Sequence, residues 1–344
     1  MFLLRDIAPA DLDGLQQAAV HLDSVNLPDD REALAEIIAR SHASFAAELP
    51  VADRCFVFVA VDPANQVVGT SMIFAQHGSR RAPHVFFDVL DEERYSETLD
   101  RHLSHRVLRI GYNYKGLTEI GGLVLRPEFR RHPERLGRSL AFVRFLYLAR
   151  HRALFRDEVL SELMPPLEAD GTSLLWESLG RKFTELTYQE ADRLSQANKE
   201  FIRALFPQDP IYVSLLPAQV QALIGQVGPE TKGVEKLLRE VGFQYAHRID
   251  PFDGGPHFHA KTDDITLVRG TRTARVAAAN DGGAAGGAGE TLLVARERPE
   301  PPRFLAARVV LAPSAAEAPL ALPDEIRRAL DVTAGDEVSV LRIA

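Results

Sequence analysis

Four stretches set the fold: L-T-E-I-G-G-L-V-L (Leu117–Leu125), R-P-E-F-R-R-H-P-E-R (Arg126–Arg135), L-G-R-S-L-A-F-V-R-F-L-Y-L-A-R (Leu136–Arg150) and, after a short break, V-L-S-E-L-M (Val159–Met164). The first is apolar and bounded by turn signals, which predicts a strand. Leu140, Val143, Phe145, Leu146 and Leu148 make the third a strongly apolar helix. Val159–Met164 reads as another strand and Leu174–Leu179 as another helix. Strand, helix, strand, helix predicts an α/β layer structure, in which ligands sit at the carboxyl end of a strand against a helix N-terminus.

Working outward, Phe2–Ile7 is strand-like, and Pro9-Ala10-Asp11 offers an N-cap for a helix carrying Leu12, Leu15 and Ala19. Pro28-Asp29-Asp30 starts a second helix with Leu34, Ile37, Ile38 and Phe45 in phase, stopped by Pro50. Phe56–Val61 and Val67–Phe74, joined by Asp62-Pro63-Ala64-Asn65, read as a hairpin. The 344 residues, 46% hydrophobic, can bury one large core or two medium ones, and a net charge of −8 argues against a nucleic-acid partner. One cysteine excludes a disulfide framework and a cysteine-rich metal site. No apolar run reaches membrane-spanning length and the start lacks a signal-peptide pattern, so a cytoplasmic protein without a membrane partner is expected.

A weak internal echo links Leu175–Phe183 with Leu237–Phe243, each read as a helix ending in glycine before an aromatic strand. Chance or a tandem arrangement explains it. The glycine- and alanine-rich Ala277–Glu290 predicts a flexible linker or exposed loop. Beyond it, Leu292–Arg296, Phe304–Leu311 and Glu337–Ile343 are candidate strands around Leu322–Leu330. The stretch Leu322–Ile343 is similar to the repeat of small swapped-hairpin DNA-binding barrels, but only Arg327 and Arg328 cluster there, which favours a C-terminal β-subdomain.

P-I-Y-V-S-L-L (Pro210–Leu216), A-L-I-G-Q-V-G-P-E-T (Ala222–Thr231) and V-E-K-L-L-R-E-V-G-F-Q-Y-A-H-R-I-D-P-F-D-G-G-P (Val234–Pro256) closely resemble the C-terminal half of the bacterial arginine N-succinyltransferases. W-E-S-L-G-R-K-F (Trp176–Phe183) and Glu190-Ala191-Asp192 continue the likeness. The resemblance implies an α/β (α+β) GNAT-like acyltransferase fold, tandem or duplicated. Its parts would be an acyl-CoA-binding domain (1–184), a second half with a substrate-side segment (185–276), the linker or loop (277–290) and a small C-terminal β-subdomain (291–344). It implies transfer of succinyl from succinyl-CoA, a co-substrate, to the α-amine of arginine in arginine breakdown. No permanently bound cofactor and no metal are expected, and family analogy implies a homodimer or a heteromer with a paralogous subunit. A different amine or acyl donor, or a catalytically silent homologue, are the alternatives.

GNAT enzymes cradle CoA phosphates in an R/Q-x-x-G-x-G/A loop opening a helix, where backbone N–H groups and the helix dipole meet the anion. Here Gly137 matches the last glycine and Arg135 stands where the first is expected. Arg130, Arg131, Arg138 and Ser139 flank them, making either a phosphate site or an arginine-rich surface helix start. The resemblance places a succinyl-CoA contact at Leu123, through its backbone, with Val124 and Leu125 beside it. Glu119 is either a general base or a solvated strand-end carboxylate. The family's G-Q-V-H-P reads Gly225-Gln226-Val227-Gly228-Pro229 here, so the proton donor that the resemblance implies is missing. Tyr245, His247, His257 and His259 are the candidate replacements, with Tyr245 and His257 preferred. Asp250 and Asp253 are candidates to bind a guanidinium, or Asp253-Gly254-Gly255 is a plain tight turn. Where relatives carry a glycine-rich loop, this chain has His21–Pro28.

Overall fold

The structure, a computed structural model, describes residues 1–21, 27–80, 82–278, 289–313 and 318–343. Its strands are β1 (Leu3–Asp6), β2 (Cys55–Val61), β3 (Val67–Phe74), β4 (His84–Ser96), β5 (Arg101–Asn113), β6 (Thr118–Leu125), β7 (Glu158–Glu162), β8 (Ile211–Tyr212), β9 (Gln244–Ile249), β10 (Pro256–Lys261), β11 (Arg272–Arg275), β12 (Glu290–Glu297), β13 (Phe304–Leu311) and β14 (Glu337–Arg342). The chain divides into two compact units, and neither is continuous. The first comprises Met1–Ala75, Thr118–Asp157 and Thr262–Ala344; the second comprises Gln76–Leu117 and Glu158–Lys261. This division cuts across the consecutive ranges expected from the sequence.

In the first unit the strand order is β11-β14-β12-β13-β1-β2-β3-β6, antiparallel throughout. Helices α1 (Leu12–Ala19) and α2 (Arg31–Phe45) bury Leu15, Leu34 and Ile38 against Val57, Val59 and Met72. Asp30 caps α2 through the Ala33 amide, as its position predicts. Asp11 does not cap α1. Its carboxylate takes two bonds from Arg5 and one from the Ala8 amide, because a buried guanidinium is a stronger claim on a buried carboxylate. Helix α3 (Leu136–Arg150) is apolar over most of its circumference; Phe142, Phe145 and Tyr147 are all buried. Beyond the end of β1, the Ser41 and Ser44 hydroxyls of α2 accept the Val57 and Cys55 amides, so two side chains substitute for a missing strand.

The C-terminal strands do not stand apart. β13 pairs with β1, Leu3 opposite Ala307, and the cluster built on Leu292, Leu305, Ile326 and Val340 includes Leu3. The expected separate β-subdomain is therefore part of the first unit's sheet. Of the expected linker, 279–288 lies outside the described residues, as does 22–26 of the His21–Pro28 loop. The edges of the linker are structured: Ala277 is buried and donates to the Leu320 carbonyl, while Glu290 opens β12.

The second unit has the order β7-β10-β9-β4-β5-β8, again antiparallel. Trp176 anchors its core, stacked on Phe252 at 5.0 Å with its indole N–H donated to the Leu186 carbonyl. The long β4–β5 hairpin was not read from the sequence. Of the two echo endings, the one after Leu237–Leu238 holds: the helix Lys232–Glu240 ends at Gly242, φ +111°, and leads into β9. The other does not, since Gly180–Thr184 is a second short helix rather than a strand.

Candidate active site

β6 carries the feature that matters most in the first unit. Thr70 on β3 faces Val124, but Met72 faces Gly121, so β6 holds one residue more than its partner between these pairs. The surplus is a β-bulge at Gly122–Leu123, and Gly122 sits at φ +55°, a conformation suited to glycine. A bulge takes a residue out of ladder pairing and re-aims its backbone. Arg144 of α3, buried at 3% exposure, braces this point by donating to the Gly121 and Ala141 carbonyls. Burial pushes its guanidinium down to about 9.

Val124 is buried in the α1–α2 core, so it offers a ligand only its backbone. The Leu125 carbonyl accepts Arg130 Nε at 3.1 Å, which ties the loop to the strand end. Arg130 and Arg131 are exposed. Arg135, the N-cap of α3, is left-handed at φ 49°, and its carbonyl accepts the amides of Arg138 and Ser139. Gly137 has open space where a side chain would be: a Cβ there would meet only Leu125 Cδ2, at 3.8 Å. Arg138 is engaged within the protein, its guanidinium over the Phe142 ring and Nε on the Ile343 carbonyl. Ser139 is buried, its hydroxyl without a hydrogen-bond partner among the described residues.

Glu119 is 2% exposed and lies in one row with Phe74 and Cys55 across β6, β3 and β2. The solvated strand-end reading is thereby overturned. Burial pushes the Cys55 thiol up to about 12, which leaves it inert as a nucleophile.

In the second unit, His257 of β10 stands directly opposite Glu162 of β7, with Nε2 3.4 Å from Glu162 Oε1. His84, the first residue of β4, brings its Nε2 to 3.1 Å from the same oxygen, and His77 reaches 4.0 Å. Burial drives His257 down to about 3, against the pull of the Glu162 charge, so the ring is neutral. Burial, and then Arg248, lowers His259 to about 4. His247 is exposed, in a left-handed conformation at φ 53°. Tyr245 packs with its hydroxyl against Gly225.

Asp250 and Asp253 both cap their own turn. Asp250 Oδ1 accepts the Phe252 and Asp253 amides, and Asp253 Oδ1 the Gly255 amide. Burial and the Glu162 charge push Asp250 up to about 7; burial and Asp250 carry Asp253 well above the usual carboxylate range. Gly228 is buried, its amide on the Met164 carbonyl. A Cβ there would lie 2.6 Å from the Pro165 carbonyl oxygen, so a histidine does not fit without moving backbone. His77, His84 and Glu162 escaped sequence reading: Glu162 lies far along the chain from the two histidines, and the only signal was a glutamate inside the apolar V-L-S-E-L-M.

The class is that of the succinyltransferases: the mixed α/β chain, with its bulged strand running through an arginine-rich loop into an apolar helix, shares its fold with a solved succinyltransferase subunit. Residues 2–267 match the family described as "Arginine N-succinyltransferase beta subunit", and the chain belongs to that family. The chain is 32% identical over 346 aligned residues to the arginine N-succinyltransferases of Salmonella paratyphi B and Salmonella typhimurium, spanning 100% of this chain and 98% of each relative. The solved structure of arginine/ornithine succinyltransferase subunit AI from Pseudomonas aeruginosa superposes with a TM-score of 0.85 at 29% identity, covering 100% of this chain and 99% of that one. Among the described residues, no helix is long and apolar enough to cross a membrane.

Proposed function

We propose that the protein transfers succinyl from succinyl-CoA to the α-amine of arginine, in the cytoplasm. The bulge at Gly122–Leu123 carries this reading, because an unpaired strand amide is a ready donor to a thioester carbonyl as it gains negative charge. Pantetheine would lie along Leu123–Leu125. The phosphates would meet the open backbone at Gly137 and the exposed Arg130 and Arg131. Arg138 and Ser139 would shape the start of α3. The amine attacks the thioester carbon directly: the C–N bond forms, the C–S bond breaks and CoA leaves as a thiolate. Glu119 takes the ammonium proton, directly or through water, and water protonates the thiolate. Asp250 and Asp253, whose charge is held back by burial, become favourable partners for a guanidinium. The transfer needs no resident cofactor, and the chain works as a homodimer or with a paralogous subunit.

Gly228 motivates a second reading, in which the same fold acts on another amine or acyl donor. Its surroundings have closed over the place a side chain would take. A steady-state assay with succinyl-CoA and arginine, following thiol release, separates the readings. Arginine-dependent release is expected. Release only with another amine or acyl-CoA favours the second reading, and none with any amine, with CoA binding retained, means a silent homologue.

A further inference from the structure

We propose that His77, His84 and Glu162 form a binding site for a divalent transition-metal ion of the zinc class, with His257 and Asp250 against the same glutamate. The sheet makes this possible: Glu162 ends β7, His84 begins β4 and His77 lies in the segment between β3 and β4. One ligand atom from each of the three lies within 4.8 Å of the other two. The imidazole Nε2 atoms stand 3.1 and 4.0 Å from Glu162 Oε1. In a tetrahedral site with bonds of about 2.0–2.1 Å, neighbouring ligand atoms are about 3.3 Å apart, a spacing these two distances bracket. Two imidazoles and one carboxylate suit a borderline divalent ion and leave a fourth position for water.

Hydrogen bonding within the protein accounts poorly for His257. Three imidazoles converge on one carboxylate oxygen, since His257 Nε2 also stands 3.4 Å away. That oxygen has only two lone pairs. His257 is 0% exposed, and neither of its ring nitrogens has a hydrogen-bond partner among the described residues. A carboxyl oxygen of Asp250 lies within 4.8 Å of ligand atoms of Glu162 and His257, so two carboxyl groups share the site. A dication offsets both. The side chains of His77 and Glu162, 22% and 27% exposed, provide an entry path.

The test uses the full-length chain after chelator treatment, titrated with Zn²⁺ by calorimetry and with Co²⁺ by visible absorption. One ion per chain is expected, with the intense bands of four-coordinate cobalt. His84→Ala should weaken Zn²⁺ binding by about 100-fold or more and His77→Gln by about 10-fold or more. If His84→Ala fails to fold, His77→Gln, at a partly exposed position, decides. The proposal is overturned by absence of saturable binding in chelator-treated protein that keeps its circular dichroism. It is equally overturned by affinity unchanged in the folded variants, which places the ion on other histidines. The measurement contains no acyl-CoA or arginine, so its outcome is independent of the reaction assigned above.

Discussion

Arg5 and Asp11 in the first unit form a two-armed pair, both contacts at 2.7 Å, whereas Glu162, Asp250 and Asp253 in the second crowd one another without such a match. The first unit matches much of its buried polarity one to one: Asp6 with the Phe304 amide, Thr70 with the Phe58 carbonyl, two serines with two strand amides. Buried polar groups matched in this way hold a structure. The second unit keeps neutral imidazoles beside carboxylates that burial pushes toward the protonated form. Groups perturbed in this way cluster at functional sites.

The contrast makes graded predictions. Breaking the matched pair should cost most: Asp11→Ala strands a buried guanidinium and should lower stability by about 3–5 kcal/mol in urea unfolding. Little change would mean the pair is solvated and the contrast false. Glu119→Gln keeps size and loses the proton acceptor, so turnover should fall about 100-fold, less at high pH where more amine arrives deprotonated. Unchanged turnover at neutral pH makes Glu119 one more structural group of the first unit.

Arg130→Ala combined with Arg131→Ala should weaken succinyl-CoA by about 1–3 kcal/mol in a binding titration, and unaltered affinity moves the phosphates elsewhere. In the second unit, Gly228→Ala should cost about 1–3 kcal/mol of stability, because its Cβ meets the Pro165 carbonyl. For the same reason Gly228→His should not restore a proton donor; a gain in succinyl transfer would show that the segment yields.

The smallest effect is one of slope. The folded pKa of Asp250, raised to about 7, exceeds the ordinary aspartate value of 3.8, so the folded state holds the extra proton and stability falls as pH climbs between them. Asp250→Asn should flatten that fall in the metal-free protein, measured as urea midpoints across this range. His257, depressed to about 3, works oppositely: its contribution is complete above about 6.5 and is lost as pH drops below that. An unchanged slope in Asp250→Asn would show that this carboxylate is solvated.

Sequence alone located most elements of the first unit because their patterns are local. The hairpin β2–β3, the caps of α2 and the whole of α3 follow from periodicity and punctuation within a few residues. The bulge was not foreseen, since an extra residue in β6 exists only relative to β3; the resemblance pointed only to the backbone of Leu123. The His77–His84–Glu162–His257 cluster was legible only in part. His257 was singled out, but its partners are brought to it by register across β7 and β10 and by the start of β4, which no spacing in the chain encodes. The compact units differ from the expected ranges for a related reason: composition marks a glycine-rich stretch, while the units are defined by which distant strands pair.

That β1 lies between β2 and β13 has a consequence for how the chain is made. Leu3 leaves the ribosome some 300 residues before its partner Ala307. At about 5–20 residues per second this interval is about 15–60 s. Throughout it one edge of β1 is uncovered, and within it every strand of the second unit, complete by Lys261, is synthesised. The nascent chain can therefore finish its inserted unit before its first one. An exposed strand edge during that interval is where a chaperone, or a neighbouring nascent copy, would find its earliest foothold.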